Sequence, residues 1–145
     1  MVLLVNKKDI IMTTIATRRP ALSLTTPIFL QRLEGLAAMG FGIVAYAFLD
    51  QSWLVFALLF LSPDLFMLGY LRSIRTGAAL YNLGHSYAAP ALLALGGLFA
   101  GEIFYGLAAI WVAHIGFDRM LGYGLKLDGG FDQTHLGPIG KAKAR

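Results

Sequence analysis

The chain has 145 residues, enough for one domain, with 57% hydrophobic residues, 14% charged residues and a formal net charge of +4. An average soluble domain is about a quarter charged, so too few charges remain to cover a globular surface, and lipid is the expected solvent for much of the chain. The absence of cysteine excludes disulfides and thiolate metal ligands, and no basic stripe interleaved with aromatics supports a nucleic-acid partner.

The first segment, residues 1–27, differs in kind from the rest. Met1–Val5 is apolar but too short to span a bilayer. Lys7, Lys8, Arg18 and Arg19 surround a Thr-rich stretch, and Pro20 and Pro27 interrupt helix. No apolar core followed by a small-residue cleavage site precedes Arg18, so a cleavable signal peptide is not expected. The segment reads as a disordered or surface-lying cytoplasmic tail.

Four apolar stretches follow, from about Ile28 to Leu49, Ser52 to Leu71, Ala78 to Ala100, and Glu102 to Leu121. Each is roughly 20 residues long, the length a helix needs to cross a bilayer. Strict alternation is absent, so a transmembrane barrel is not expected. The links between stretches are short: Asp50-Gln51, Arg72 to Gly77, and Gly101-Glu102. Short links force neighbouring helices antiparallel. The expected fold is therefore all-α: a polytopic membrane protein with an antiparallel four-helix transmembrane bundle over residues 28–121. Arg18, Arg19, Arg72, Arg75, Lys126, Lys141, Lys143 and Arg145 fall on one side of that topology, and the opposite loops carry no Lys or Arg. This bias puts both termini in the cytoplasm, in the inner (plasma) membrane. Gly35, Gly40 and Gly42 in the first stretch, and Gly96 and Gly97 in the third, are expected at close helix contacts. Trp53, Tyr105 and Tyr123 read as interfacial anchors.

Ionisable side chains are costly inside spans and mark sites or pathways. Here they are Glu34, Asp64, His85, and His114 with Asp118 and Arg119. At about 1.5 Å rise per residue, Glu34, Asp64, His85 and Asp118 fall in one layer near the cytoplasmic face, with His114 one turn deeper. His114 and Asp118 are spaced i, i+4 and share a face, as do Asn82 and His85 at i, i+3. Two imidazoles with two or three carboxylates suit a divalent transition metal such as zinc, manganese or iron. Asp64, His85, His114 and Asp118 are the candidate ligands, and Glu34 is a further ligand or a general base. Two other readings stay open at this point. In one, the cluster only locks helix packing, with Asp118 or Glu34 paired to Arg119, Arg72 or Arg32, or with the histidines hydrogen-bonded across helices. In the other, Glu34 and Asp64 form a proton or cation pathway in a small transporter or channel subunit.

From about Leu30 to Lys141 the chain resembles an uncharacterised bacterial family of four-helix integral membrane proteins, a domain-of-unknown-function family. The carrying segments are Leu33-Glu-Gly35, Ser62-Pro-Asp-Leu65, Tyr81-Asn-Leu-Gly-His85, His114-Ile-Gly-Phe-Asp-Arg119, Gly122-Tyr-Gly-Leu-Lys126 and Thr134-His-Leu-Gly137. That resemblance implies a membrane location and no activity. The order Pro63-Asp64-Leu65, Gly84-His85-Ser86, then His114-x-x-x-Asp118 is similar to the motif set of inner-membrane metal-dependent hydrolases of the phage-repressor-associated type. It implies Asp64, His85, His114 and Asp118 as metal ligands. That family usually has a further His-Arg pair before the His-Ser step, where this chain has Tyr81-Asn82; one ligand is then missing here, or is replaced by Asn82 or Glu34.

After Leu121 the chain turns polar and glycine-rich, ending in Lys141, Lys143 and Arg145. Residues 122–145 read as a cytoplasmic basic tail, either disordered or folded over the bundle mouth with His135 near the polar layer. The expected partners are the bilayer itself, anionic headgroups at the basic tails, and a second copy of the chain.

Overall fold

The computed structural model describes residues 26–140. The expectation of a disordered tail over residues 1–27 falls almost wholly outside them, as do the basic contacts expected of Lys141, Lys143 and Arg145. Five α-helices, one 3-10 helix and a two-stranded sheet occur among the described residues. They are α1 (Pro27–Ala47), α2 (Trp53–Leu59), the 3-10 helix (Ser62–Leu71), α3 (Ile74–Gly84), α4 (Ala88–Ala100), α5 (Ile103–Leu121), β1 (Gln133–Thr134) and β2 (Gly137–Pro138).

Proline decides where two of the expected spans depart from simple α-helix. Pro63 sits at the start of the 3-10 helix. It has no N–H to give to the helix before it, and the chain tightens there into the 3-10 form. Trp53–Leu71 still runs as one apolar rod of 19 residues. The third stretch, expected as one helix from Ala78 to Ala100, is instead broken between Gly84 and Ala88 and bent by 46°. Pro90, in the first turn of α4, cannot donate to the Ser86 carbonyl and would clash with it in a continuous helix. The break leaves carbonyls to be satisfied elsewhere. Trp111 Nε1 donates to Gly84 O at 2.6 Å, and Arg119 Nη2 donates to His85 O at 3.0 Å. Broken helices are tolerated at membrane depth where side chains take up the freed groups in this way.

Pro27–Ala47 and Trp53–Leu71 are long and apolar enough to cross a membrane, and the bent pair α3–α4 makes a third such segment if taken as one span. Their outward faces are strongly apolar: Phe41, Phe48, Leu54, Leu58, Leu68, Leu92, Leu98 and Phe99 are all exposed. So large an unpaired apolar surface calls for a lipid surround. Helix α5 is different. Ten of its 19 residues are buried, including His114, Asp118 and Arg119. It is the helix that the others shield.

Glycine sets the contact between α1 and α5. A Cβ at Gly42 would lie 2.6 Å from the Ala109 carbonyl oxygen, and one at Gly35 would lie 2.8 Å from the Gly116 carbonyl oxygen. The pairing of 35 with 116 and 42 with 109 makes the two helices antiparallel. Gly97 likewise sits against the Tyr105 ring, but Gly40 faces nothing within 4 Å and Gly96 makes only an ordinary contact with Phe104. Those two glycines are therefore not close-packing positions.

The two ends differ in chemistry. At one, Gln51 Nε2 donates to Glu102 O at 3.1 Å, joining two turns that carry no basic residue. At the other, Arg32 Nε donates to Met120 O at 2.8 Å, placing a cation at the C-terminus of α5 where the helix dipole is negative. There α5 ends in a Schellman motif: Gly122 is left-handed (φ 94°), its N–H bonds Arg119 O, and Tyr123 N–H bonds Asp118 O at 2.8 Å. This reversal turns the chain back, and residues 122–140 fold against the helices as a cap. Thr134 pairs with Gly137 across the β1–β2 turn and with Lys126 through an isolated bridge.

Candidate metal centre

Asp64, His85, His114 and Asp118 come from three elements and meet at one point. Asp64 is held in the first turn of the 3-10 helix, its N–H bonded to Leu61 O. His85 is the C-terminal cap of α3, at the break that Pro90 enforces. His114 and Asp118 lie one turn apart on the buried face of α5. One ligand atom from each of the four lies within 4.8 Å of the others. Both imidazoles present Nε2: the two Nε2 atoms are 3.2 Å apart, and His85 Nε2 is 3.4 Å from Asp64 Oδ1 and 3.5 Å from Asp118 Oδ2. His114 Nε2 is 3.6 Å from Asp64 Oδ1.

These separations have a chemical meaning. Four ligands about 2.0–2.1 Å from a tetrahedral ion stand about 3.3–3.5 Å from one another. The protons lead to the same place. His85 Nδ1 lies 3.0 Å from Tyr81 O, so in the neutral ring it carries the proton and donates it, and Nε2 is left with a lone pair. Asp118 Oδ2 already accepts from Tyr81 OH at 2.9 Å. Three acceptor atoms thus converge with one available donor, His114 Nε2. Such an assembly is one that a cation placed within it would favour. A histidine that gives its second N–H to a backbone carbonyl is also the usual arrangement behind a metal ligand. His114 Nδ1 is buried with no partner among the described residues, so nothing fixes its tautomer, and it can offer the centre either a proton or a lone pair.

Rings and a clasp hold these groups in place. The Tyr81 ring stacks on His85, centroids 3.7 Å apart and 12° from parallel, and Phe60 meets His114 edge-on at 5.4 Å. Asn82 Nδ2 donates to Lys126 O at 2.9 Å while Lys126 N donates to Asn82 Oδ1 at 2.6 Å. Both polar atoms of the Asn82 side chain are therefore taken up by the cap. The cap brings the buried Lys126 over the Tyr81 ring, 5.0 Å from its centroid. Burial pulls the Lys126 ammonium below the usual lysine value, against the opposing influence of the Asp118, Asp132 and Asp64 carboxylates.

The arginine pairings expected of a packing network do not form. Arg119 is buried and donates to the Tyr123 and His85 carbonyls; Arg32 donates to Met120 and Leu121. Neither makes an ion pair with Asp118 or Glu34 among the described residues. Glu34 is exposed and stands outside the four convergent residues. It lines a neighbouring cavity of about 170 Å³ with Gln31, Gly35, Tyr87, Arg119 and His135.

Tyr81 and Lys126 were not singled out from the sequence as site residues. For Tyr81 a signal existed, since it precedes His85 by four residues and shares its helix face. For Lys126 none did, because its position depends on the turn after α5.

No curated protein and no solved structure matches the chain. A family described as a domain of unknown function, DUF4260, matches residues 29–139, a stretch that contains all four convergent residues and nearly the whole cap. The chain belongs to the DUF4260 family.

Proposed function

We propose that this is a multi-pass membrane protein whose Asp64, His85, His114 and Asp118 hold one divalent transition metal, zinc or manganese, in a membrane-embedded hydrolase. The observation that carries the reading is the convergence of four ligand atoms within 4.8 Å of one another, four of the six pairs lying 3.2–3.6 Å apart, close to the ligand spacing of a tetrahedral site. In this reading α5 is the fourth span of an antiparallel four-helix bundle, and the end carrying Arg32 and the cap faces the cytoplasm, with both termini there.

Bound there, such an ion supplies Lewis acidity toward an ester or phosphoester. The chain's own residues do the rest. Tyr81 holds Asp118 through its hydroxyl, and Tyr81 O fixes the His85 tautomer. The Asp64 side chain, about one-third exposed, forms the open edge through which substrate and water arrive. We assign Glu34, which lines a cavity with Arg119, as a general base acting through water rather than as a ligand.

The test is turnover of a panel of ester and phosphoester substrates by metal-loaded protein. The hydrolase reading expects activity that Asp64→Asn and His114→Ala reduce at least about 100-fold, the scale set by losing a group that acts with the metal. Activity that survives both substitutions would sink it.

A further inference from the structure

We infer that the centre takes a phosphate-bearing anion, and that the Lys126 ammonium is the donor that binds it; this rests on the metal reading above. Lys126 is 4% exposed, yet its ammonium makes a single hydrogen bond, to Phe131 O at 2.8 Å. An ammonium has three N–H groups, so two are unspent. Its charge rests on the faces of Phe131, 3.8 Å away, and Tyr81. Among the described residues no carboxylate lies within 4.0 Å of it. Buried charges are ordinarily paired, because leaving one alone costs several kcal/mol.

Tyr81 links the ammonium to the centre: Lys126 Nζ lies 5.0 Å from its ring centroid, the ring stacks on His85, and its hydroxyl donates to Asp118. The charge count then favours an anion. Asp64 and Asp118 bring two negative charges, which a divalent cation cancels. Arg119 has Glu34 on the same cavity wall. Of the carboxylates that act on Lys126, Asp118 and Asp64 are taken up by the metal, which leaves Asp132, an exposed residue of the cap that makes no ion pair with it. The loaded centre therefore carries surplus positive charge on the Lys126 side, on an ammonium whose one hydrogen-bond acceptor among the described residues is Phe131 O. A phosphate group has several oxygens and up to two charges, so one oxygen can meet the ammonium while the others lie toward the centre. The partly exposed Asp64 edge gives access. The phosphate can belong to a lipid headgroup or to a soluble molecule.

The experiment uses full-length protein in phosphatidylcholine nanodiscs, preloaded with zinc and freed of excess metal, and titrates inorganic phosphate by calorimetry. Binding is expected with zinc and not without it. Lys126→Met should weaken binding by about tenfold or more, the loss of one charge-assisted hydrogen bond, with zinc content unchanged, and Lys126→Arg should retain most of it. Phosphatidic acid placed in the nanodisc should compete with inorganic phosphate if the natural source is a headgroup, and should leave its affinity unchanged if the source is soluble. Absence of phosphate binding by zinc-loaded wild type, or equal affinity in Lys126→Met, overturns the assignment. Absence of zinc from the wild type overturns the metal reading itself, and is recognised separately because it is measured before any phosphate is added.

Discussion

Asn82 holds the cap to α3 through two hydrogen bonds to the backbone of Lys126. Removing its side chain leaves a donor and an acceptor of the chain unpaired in a half-buried place, which costs about 1–3 kcal/mol. Asn82→Ala should therefore open residues 122–140 to hydrogen exchange while the helices stay protected; unchanged protection of the cap would show that the clasp is idle. His135 makes the cap pH-sensitive. Its Nδ1 accepts the Leu125 N–H at 2.8 Å, and burial, with the Arg119 guanidinium second, holds its imidazole below the usual histidine value. A lowered value means that the folded cap disfavours the protonated ring. The stabilisation is full above the unfolded value of about 6.5 and is lost as pH falls below it. Protection of the cap amides, measured against the intrinsic exchange rate at each pH, should fall as pH drops from about 7 toward 5, and His135→Phe should flatten that fall.

At the scale of elements, the decisive features are the glycine seam between α1 and α5 and the break between α3 and α4. Gly42 faces the Ala109 carbonyl so closely that any larger residue forces the helices apart, whereas Gly40 faces open space. Gly42→Leu should destabilise the fold by about 1–3 kcal/mol, the usual cost of overpacking, while Gly40→Leu should be near neutral. Thermal unfolding in one detergent compares the two, and equal losses would refute the seam. Composition marks both residues identically, as small positions in an apolar helix. Only the rotation of α1 against α5 separates them, and rotation is a tertiary property. Pro90 was visible in the sequence, yet the mean apolar character of Ala78–Ala100 concealed the break it makes. The convergence of Asp64, His85, His114 and Asp118 was legible for a clear reason: depth along a span is counted in residues, and antiparallel order follows from short links. The tautomer of His85, the part played by Tyr81 and the arrival of Lys126 were not legible. Each depends on a contact between elements distant in sequence.

At the scale of the whole molecule, the account requires chemically opposite ends. Gln51 and Glu102 meet at one, and Arg32 and the cap lie at the other. The chain has no cysteine, so single introduced thiols report cleanly. In intact cells, Gln51→Cys and Glu102→Cys should react with a membrane-impermeant maleimide, and Arg72→Cys should react only after the membrane is opened. The reverse pattern would invert the proposed orientation. The central claim concerns the ion. Transition-metal analysis of the purified protein, alongside His85→Ala, tests it most directly. About one equivalent of zinc or manganese per chain is expected in the wild type, with its loss in the variant. A wild type that binds no transition metal even after zinc is supplied, or a variant that retains the full complement, would contradict it.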